Sequence, residues 1–398
     1  MSASAKVVGH QALILSGGGA QAAYEVGVMS ALLTGESPAT EYNPLDPDVL
    51  VGTSAGSINA GLFLSALSDG PAAATKYMEE VWVQDIANLA GKCNGGVYRL
   101  RADPFSLMNP TCLLDHPLKS LANITQDGTV LARNAITRSI NFVMSSGGVE
   151  QKALELVDLS ALISTEPFVE MVHQRVRLDE IRRSGSKLRI AATNWRTGAV
   201  RVFDKAEMTD AIGHQILIAS SALPGVFPLV DIEGDPYVDG SVVMNTPLKP
   251  AIRAGADTLH IICMDPDMSR VPLSRAPSTA AVFSRSIEIG FRSAITQDVQ
   301  MAIAVNHGIA VLNGSKPWPH EVSTSNRHFL REAGKQILDP NKDRAPRPLT
   351  MHLYYPSGGL NVGWLTFERD SIVRLIRRGR EDGIHHDCAA NHCVFPVA

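Results

Sequence analysis

A serine with small neighbours stands at the centre of the pentapeptide Gly52-Thr53-Ser54-Ala55-Gly56. The pentapeptide follows an apolar run and precedes a helical pattern of apolar residues, which places it at a strand-to-helix turn. A sharp turn of this kind needs small side chains, and it lifts the central hydroxyl clear of the sheet, where it can act as a nucleophile. The pattern also fits a structural turn capped by Ser54, so it does not establish catalysis alone.

A glycine-rich segment, Ser16-Gly17-Gly18-Gly19-Ala20-Gln21-Ala22, lies between an earlier apolar run and its helical pattern. Successive glycines leave backbone N–H groups free to converge on an anion. The Walker lysine and Ser/Thr are missing and no acidic residue stands at dinucleotide spacing, so a nucleotide phosphate is the weaker interpretation. Together with Ser54, the segment supplies the donors that the oxyanion of an acyl-transfer reaction requires.

Asp239 is the third candidate and lies in Pro236-Tyr237-Val238-Asp239-Gly240-Ser241. An aspartate before a glycine is by itself typical of a turn. The three segments together resemble the patatin-like phospholipase family, which carries a glycine-rich oxyanion loop, a GxSxG turn and an Asp-Gly segment. The resemblance extends from about residue 11 to 264 and includes Asn245-Thr246-Pro247-Leu248 after the aspartate.

The resemblance implies a serine–aspartate dyad for hydrolysis of lipid carboxylic esters, either phospholipid or lysophospholipid. Asp239 accepts the proton of Ser54, Ser54 attacks the ester carbonyl, and water releases the acyl enzyme. The glycines implied in the oxyanion hole are Gly17, Gly18 and Gly19, and those of the tight turns are Gly52, Gly56 and Gly240. A carboxylate with a pKa of about 3.9 is a weak base, so the site must hold Asp239 close and partly desolvated.

Three positions depart from the family pattern. Gln21 stands where the family's loop has arginine, Ala22 where it has the final glycine, and Ser241 replaces a glycine or alanine. Losing the arginine removes a charge that would steady the loop or an anionic head group. This departure motivates one alternative, a catalytically weak lipid-binding or regulatory homologue. A second alternative is acyl transfer to an alcohol or thiol by the same dyad.

Histidines and cysteines suggest two further interpretations. A three-residue triad needs a histidine, and four histidines lie downstream of Ser54: His214, His260, His307 and His352. None of the four lies in a local motif that marks a catalytic histidine. Several histidines and two cysteines lie close together in the tail at 385–393, which could form a metal site. The tail lacks a paired CxxC spacing, however, so we predict no metal and no cofactor. The 5 cysteines are scattered and odd in number, which favours reduced thiols.

Short aliphatic runs alternate with helical patterns and predict an α/β fold with a mainly parallel central sheet flanked by helices. The predicted strands are 12–16, 48–51, 188–193, 259–264 and 351–355. We expect a tail at 1–10, a hydrolase domain at 11–270 with a mostly helical insertion at about 84–179, and a tail at 385–398. C-terminal helices and a late strand at 271–384, including a helix at 280–304 and a loop-rich stretch at 314–347, complete or cap the domain.

Composition narrows the class of protein. The chain is 45% hydrophobic and 19% charged, with a net charge of -4, which is ordinary for a soluble enzyme and predicts no nucleic-acid partner. Because no apolar window reaches the roughly 18 residues of a spanning helix, we predict a cytoplasmic protein. The basic amphipathic stretch 372–378 either touches a membrane peripherally or, as we favour, packs on the sheet. The sequence leaves the oligomeric state open.

Overall fold

The computed structural model describes residues 10–87, 96–101, 117–144, 163–264, 279–312, 314–317, 323, 327, 347–357, 359–360 and 362–396. Nearly all of the predicted tail at 1–10 and much of the predicted loop-rich stretch at 314–347 lie outside the described residues. The predicted boundary near 270 lies outside them as well.

Strands and helices alternate along the described chain. In order they are β1 (Gln11–Leu15), α1 (Ala23–Leu33), β2 (Val49–Thr53), α2 (Ala55–Ala66), α3 (Pro71–Val81), β3 (Arg99–Leu100), α4 (Pro117–Met144), β4 (Ile163–Ser164), α5 (Glu166–Arg175), α6 (Leu178–Arg183), β5 (Lys187–Asn194), β6 (Val200–Asp204), α7 (Gly213–Ser220), β7 (Val230–Ile232), β8 (Asp235–Asp239), α8 (Leu248–Arg253), β9 (Thr258–Ile262), α9 (Thr279–Leu312), β10 (Thr350–Tyr354) and α10 (Arg369–Ile384).

The main sheet has 8 strands in the order β10-β9-β1-β2-β5-β8-β7, and β6 also pairs with β5. Neighbours from β10 to β5 are parallel, whereas β5–β6, β5–β8 and β7–β8 are antiparallel. The predicted α/β class with a mainly parallel, helix-flanked sheet is therefore confirmed. The prediction missed β6, β7 and β8, and also the short antiparallel pair β3–β4. β6 and β8 have 5 residues each, as β1 and β2 have, but polar residues interrupt them, so neither gives an unbroken apolar run.

The register of β1 and β2 places two of the candidate segments side by side. Leu15 pairs with Gly52, so the chain leaves both strands at the same edge of the sheet. Ligand sites of α/β sheets lie at this carboxyl edge. The glycine-rich segment after β1 and Ser54 after β2 are neighbours for this reason.

Helices cover the central strands on two faces. Leu13 and Leu50 belong to one buried apolar cluster, and Ile14 and Val51 belong to a second. Residues of opposite parity thus face opposite cores, which is why the two strands read as unbroken apolar runs. None of the helices described here is long and apolar enough to cross a membrane.

The helix α10 packs closely on α1 and contains the basic stretch 372–378. A Cβ at Gly27 would lie 1.9 Å from the carbonyl oxygen of Ile376, and one at Gly379 would lie 2.0 Å from that of Tyr24. Glycine at both positions lets the two helix backbones touch. Ile372 of α10 is also buried, in the apolar cluster that includes residues of α1. The helix therefore packs on α1, whereas its sequence predicted packing on the sheet itself.

Candidate active site

Ser54 occupies a strained turn between β2 and α2. Its φ is 54° and its ψ is -130°, a conformation that costs a residue with a Cβ about 1–3 kcal/mol. A Cβ at Gly52 or Gly56 would lie 2.7 or 2.5 Å from a backbone oxygen, so the turn accepts no larger residue there. The Ser54 N–H donates to Ser220 Oγ at 3.0 Å, and Ser220 donates to the Ala191 carbonyl at 2.7 Å. These bonds hold the turn in place.

Asp239 ends β8 and lies against Ser54. The Ser54 Oγ donates a hydrogen bond of 2.6 Å to Asp239 Oδ2. Ser54 is 8% exposed and Asp239 is 1% exposed, so water has little access to the bond. A Cβ at Gly240 would lie 2.3 Å from the Ala191 carbonyl oxygen, and glycine there allows β8 to approach β5. The two residues predicted as a pair are therefore in direct contact.

Ser241 donates two hydrogen bonds to the carboxylate of Asp239. Its N–H and its Oγ both donate to Asp239 Oδ1, at 2.8 and 2.7 Å. Burial raises the pKa of Asp239 from 3.8 to about 6, and the hydrogen bonds from Ser54 and Ser241 limit the rise. The carboxylate is thus a stronger base than an ordinary aspartate, yet it is still ionised at neutral pH.

The three glycines beside Ser54 differ in what their backbone N–H groups contact. The Gly17 N–H donates to the Asn245 carbonyl at 3.2 Å, while no acceptor among the described residues lies within hydrogen-bond distance of the Gly18 or Gly19 N–H. A Cβ at Gly17 would lie 2.5 Å from Asn245 Oδ1 and 3.0 Å from Ser54 Cβ. Gly17 therefore allows close approach, and the N–H groups of Gly18 and Gly19 remain for an oxyanion.

A buried polar network lies beneath the glycine-rich segment. Glu25 accepts from the Ser16 N–H at 2.7 Å and from Asn59 Nδ2 at 2.8 Å, and Trp82 Nε1 donates to Asn59 Oδ1 at 2.7 Å. Burial raises the pKa of Glu25 well above its usual range, against the effect of the bonds from Asn59 and Ser16. Sequence reasoning missed this support. Its one signal is an acidic residue in the otherwise apolar start of α1.

Gln21, at the family's arginine position, ties the segment to the C-terminal part of the chain. Its Nε2 donates to the Val362 carbonyl at 2.8 Å. A few residues further on, the Trp364 carbonyl accepts from the Ala20 N–H at 2.8 Å. A neutral amide thus holds the loop through a hydrogen bond to backbone, and Ala22 is fully buried beside it.

A cavity that is partly open to solvent lies above Ser54 and Asp239. Its polar end carries Gly18, Gly19 and the Ser54–Asp239 pair. Its remaining wall is apolar and aromatic, with Ile58, Trp82, Phe168, Phe227, Leu365 and Phe367 among its residues. Such a slot suits one long apolar group attached to a polar, reactive end.

The histidines weighed for a triad lie elsewhere. His214 Nε2 contacts the Val176 carbonyl at 3.0 Å, and His260 Nδ1 contacts the Tyr354 hydroxyl at 3.0 Å. His307 Nε2 lies 3.0 Å from Lys316 Nζ, and His352 Nδ1 lies 3.4 Å from Cys388 Sγ. Among the described residues, no histidine lines the cavity. The geometry around Ser54 offers aspartate as its neighbouring base.

The helix-flanked, mainly parallel sheet, with a serine turn and an apolar cavity at its carboxyl edge, is an α/β fold of the patatin-like kind. The sequence model of the family described as Patatin-like phospholipase matches residues 13–252. The chain belongs to the patatin-like phospholipase family. The resemblance seen in the sequence is confirmed. No functionally curated protein is significantly similar to the chain.

The solved structures that match this chain include one of low similarity. The crystal structure of VipD from Legionella pneumophila has 12% sequence identity, with 94% of this chain and 66% of that chain covered, and a TM-score of 0.34. The chain thus spans just under two thirds of the VipD chain. A likeness at this level carries no information on substrate or mechanism.

Proposed function

We propose that this protein hydrolyses carboxylic ester bonds of phospholipids or lysophospholipids, a phospholipase A type of reaction, through an acyl enzyme on Ser54. Asp239 takes the Ser54 proton as Oγ bonds to the ester carbonyl carbon, and the tetrahedral oxyanion accepts from the N–H groups of Gly18 and Gly19. The leaving alcohol takes the proton back from Asp239. Water, deprotonated by the same carboxylate, then releases the fatty acid and restores Ser54.

The observation that carries the proposal is the 2.6 Å bond from the Ser54 hydroxyl to the buried Asp239 carboxylate. It supplies a nucleophile and a base already within proton-transfer distance. The pKa of about 6 supports the role of the base, because burial narrows the gap to the hydroxyl while the acid stays ionised at pH 7.

The cavity supports a lipid acyl group as the substrate portion bound near Ser54. Phe168 and Phe227 both line the cavity and meet edge to face with ring centroids 6.1 Å apart, so aromatic carbon forms part of its wall. Burial of each methylene of an acyl chain there contributes about 0.8 kcal/mol. Chain length is therefore expected to affect binding strongly.

Exposed apolar residues near the cavity support contact with a lipid surface. Val242 and Val243 are 49% and 51% exposed and follow the cavity residue Ser241, and Leu229 is 50% exposed two residues after Phe227. Apolar side chains exposed beside a substrate opening are typical of interaction sites. We propose that these residues touch the lipid aggregate from which the substrate is taken.

Labelling with a fluorophosphonate probe tests the nucleophile without knowledge of the substrate. We expect one adduct per chain at Ser54, no labelling of Ser54→Ala, and at least about 10³-fold loss of ester hydrolysis in that variant. Ser68→Ala is the matched control, because Ser68 is an exposed serine in the turn after α2. Labelling that survives in Ser54→Ala, or equal hydrolysis by both variants, would contradict the assignment.

Product analysis separates hydrolysis from acyl transfer. With a long-chain phospholipid and added glycerol or a soluble thiol, we expect free fatty acid to dominate, because water reaches the acyl enzyme at far higher concentration. If an acyl glycerol or an acyl thiol becomes the main product, the protein is a transferase with the same dyad.

A further inference from the structure

Four metal-ligand side chains meet at the edge strand β10, outside the cavity of Ser54. They are His352 on β10 and His386, Cys388 and Cys393 on the segment after α10. One donor atom from each lies within 4.8 Å of the other three. Both histidines are buried, at 9% and 7% exposure, and both cysteines are partly buried and free of disulfides.

The donor separations match a tetrahedral zinc site. Cys388 Sγ lies 3.4 Å from His352 Nδ1 and 3.3 Å from His386 Nε2, and Cys393 Sγ lies 3.5 Å from the same Nε2. With Zn–S bonds of about 2.3 Å and Zn–N bonds of about 2.0–2.1 Å, a tetrahedron separates sulfur from nitrogen by about 3.5 Å. Three of the six donor separations therefore match the tetrahedron, and the other three are within 4.8 Å, so small movements would place all four donors around one ion.

The backbone around the cluster keeps the segment in place. The Leu353 N–H donates to Cys393 Sγ at 3.3 Å, which fixes the position of that sulfur beside β10. Met351 and Val394 exchange hydrogen bonds of 2.8 and 2.9 Å, so the segment pairs with β10 directly beside His352. The Cys393 N–H donates to the Cys388 carbonyl at 2.9 Å and closes the loop between the two cysteines.

We propose that His352, His386, Cys388 and Cys393 bind one zinc ion and fasten the C-terminal segment to the edge of the sheet. Two thiolates and two imidazoles select zinc over hard cations, and four protein ligands leave no open position, as in structural rather than catalytic sites. The site departs from our sequence prediction of no metal, which considered only the tail and not the strand that supplies His352.

Metal analysis of the full-length protein tests the proposal. After purification without added chelator or tag-bound metal, we expect close to one zinc per chain by elemental analysis. Replacing zinc with Co²⁺ should give the visible bands of a tetrahedral ion and the near-ultraviolet charge-transfer band of two thiolates. In Cys388→Ser and Cys393→Ser, that charge-transfer band should fall by about half, and the affinity for metal by about 10–100-fold or more.

Matched variants separate this site from incidental binding. His385→Gln alters an exposed histidine next to His386, and Cys263→Ser removes a thiol outside the cluster; both should keep one zinc per chain and the full cobalt spectrum. A wild-type protein with less than about a tenth of an equivalent of zinc that also fails to take up Co²⁺ under reducing conditions overturns the proposal. A Cys388–Cys393 disulfide in freshly isolated protein, or a cobalt spectrum unchanged by both serine variants, overturns it too.

Discussion

The Ser54 site and the cysteine–histidine cluster belong to the same sheet but are held by different means. Ser54, Asp239 and the glycine-rich segment come from separate parts of the chain, and buried hydrogen bonds fix each of them. In the cluster, three of four ligands lie on one short segment that meets β10 through the Met351–Val394 pair. Contacts from many parts of the fold thus hold the residues around Ser54, whereas we expect the C-terminal segment to depend on its metal ligands in addition to the Met351–Val394 pair.

Removing the buried charge of Asp239 should give the largest change at the catalytic site. We expect Asp239→Asn to lower kcat/KM for ester hydrolysis by about 10³–10⁴-fold, because Ser54 loses its base. Steady-state kinetics with short-chain esters measures the loss. The control is Asp46→Asn, an exposed aspartate before β2, which should keep full activity. Equal activity of both variants would contradict the role of Asp239.

The same substitution should stabilise the protein, with a definite dependence on pH. Folding raises the pKa of Asp239 from 3.8 to about 6. Below pH 3.8 the group is protonated in both the folded and the unfolded state, and its burial then costs no ionisation free energy. As the pH rises through 6, the buried group must ionise, and the free energy of unfolding falls. Asn carries no charge and avoids this loss. At pH 8 we expect Asp239→Asn to unfold with a free energy higher by about 1–3 kcal/mol, and at pH 4 by almost nothing. Denaturant unfolding of both proteins at pH 4 and pH 8 measures this difference in unfolding free energy.

The pH dependence of hydrolysis sharpens the role of Ser241. We expect kcat/KM to rise about tenfold per pH unit up to about pH 6 and then level, as Asp239 ionises. Ser241→Ala removes the 2.7 Å bond to Oδ1, so the apparent pKa should move upward and the rate at pH 5.5 should fall by about tenfold. A fall of the same size at pH 8 would instead indicate a disturbed fold. Ser68→Ala should leave the profile unchanged.

Gln21 offers a milder disturbance of the cavity. Gln21→Ala removes the hydrogen bond to the Val362 carbonyl, worth about 1 kcal/mol, and should lower kcat/KM for long-chain esters by about three- to tenfold. Short-chain esters, which do not reach the wall near Leu365, should be affected less. The double change Gln21→Arg and Ala22→Gly should not increase activity. A gain beyond about tenfold would support the alternative of a weak, degenerate homologue.

The smallest effect on turnover is expected at the far edge of the sheet. Cys388→Ser should lower the midpoint of thermal unfolding by several degrees, because the segment after α10 loses an anchor. The kcat per active site, counted by fluorophosphonate titration, should change less than about twofold. A large loss of kcat with an unchanged unfolding midpoint would show that the two regions are coupled.

The sequence was sufficient to name the residues that meet at the candidate site, and insufficient to name the residues that hold them in place. Ser54, Asp239 and the glycines belong to short motifs whose spacing follows from turn geometry, and the long apolar runs predicted the parallel strands. Ser220 holds the Ser54 N–H from 166 residues further along the chain. Likewise, His352 joins its fellow ligands only once β10 has met the segment after α10. Contacts of this kind depend on how strands are ordered in the sheet, and a single sequence carries no local signal for that order.

Strand order has a practical consequence for truncation. The family match ends at residue 252, yet β9, which begins at Thr258, is the direct neighbour of β1. A chain cut after residue 252 would expose the N–H and C=O groups of β1 along an apolar strand, an edge prone to aggregation. It would also lose Trp364, Leu365 and Phe367 from the cavity wall. The shortest piece expected to stay monodisperse and active therefore continues well beyond the boundary that sequence similarity suggests.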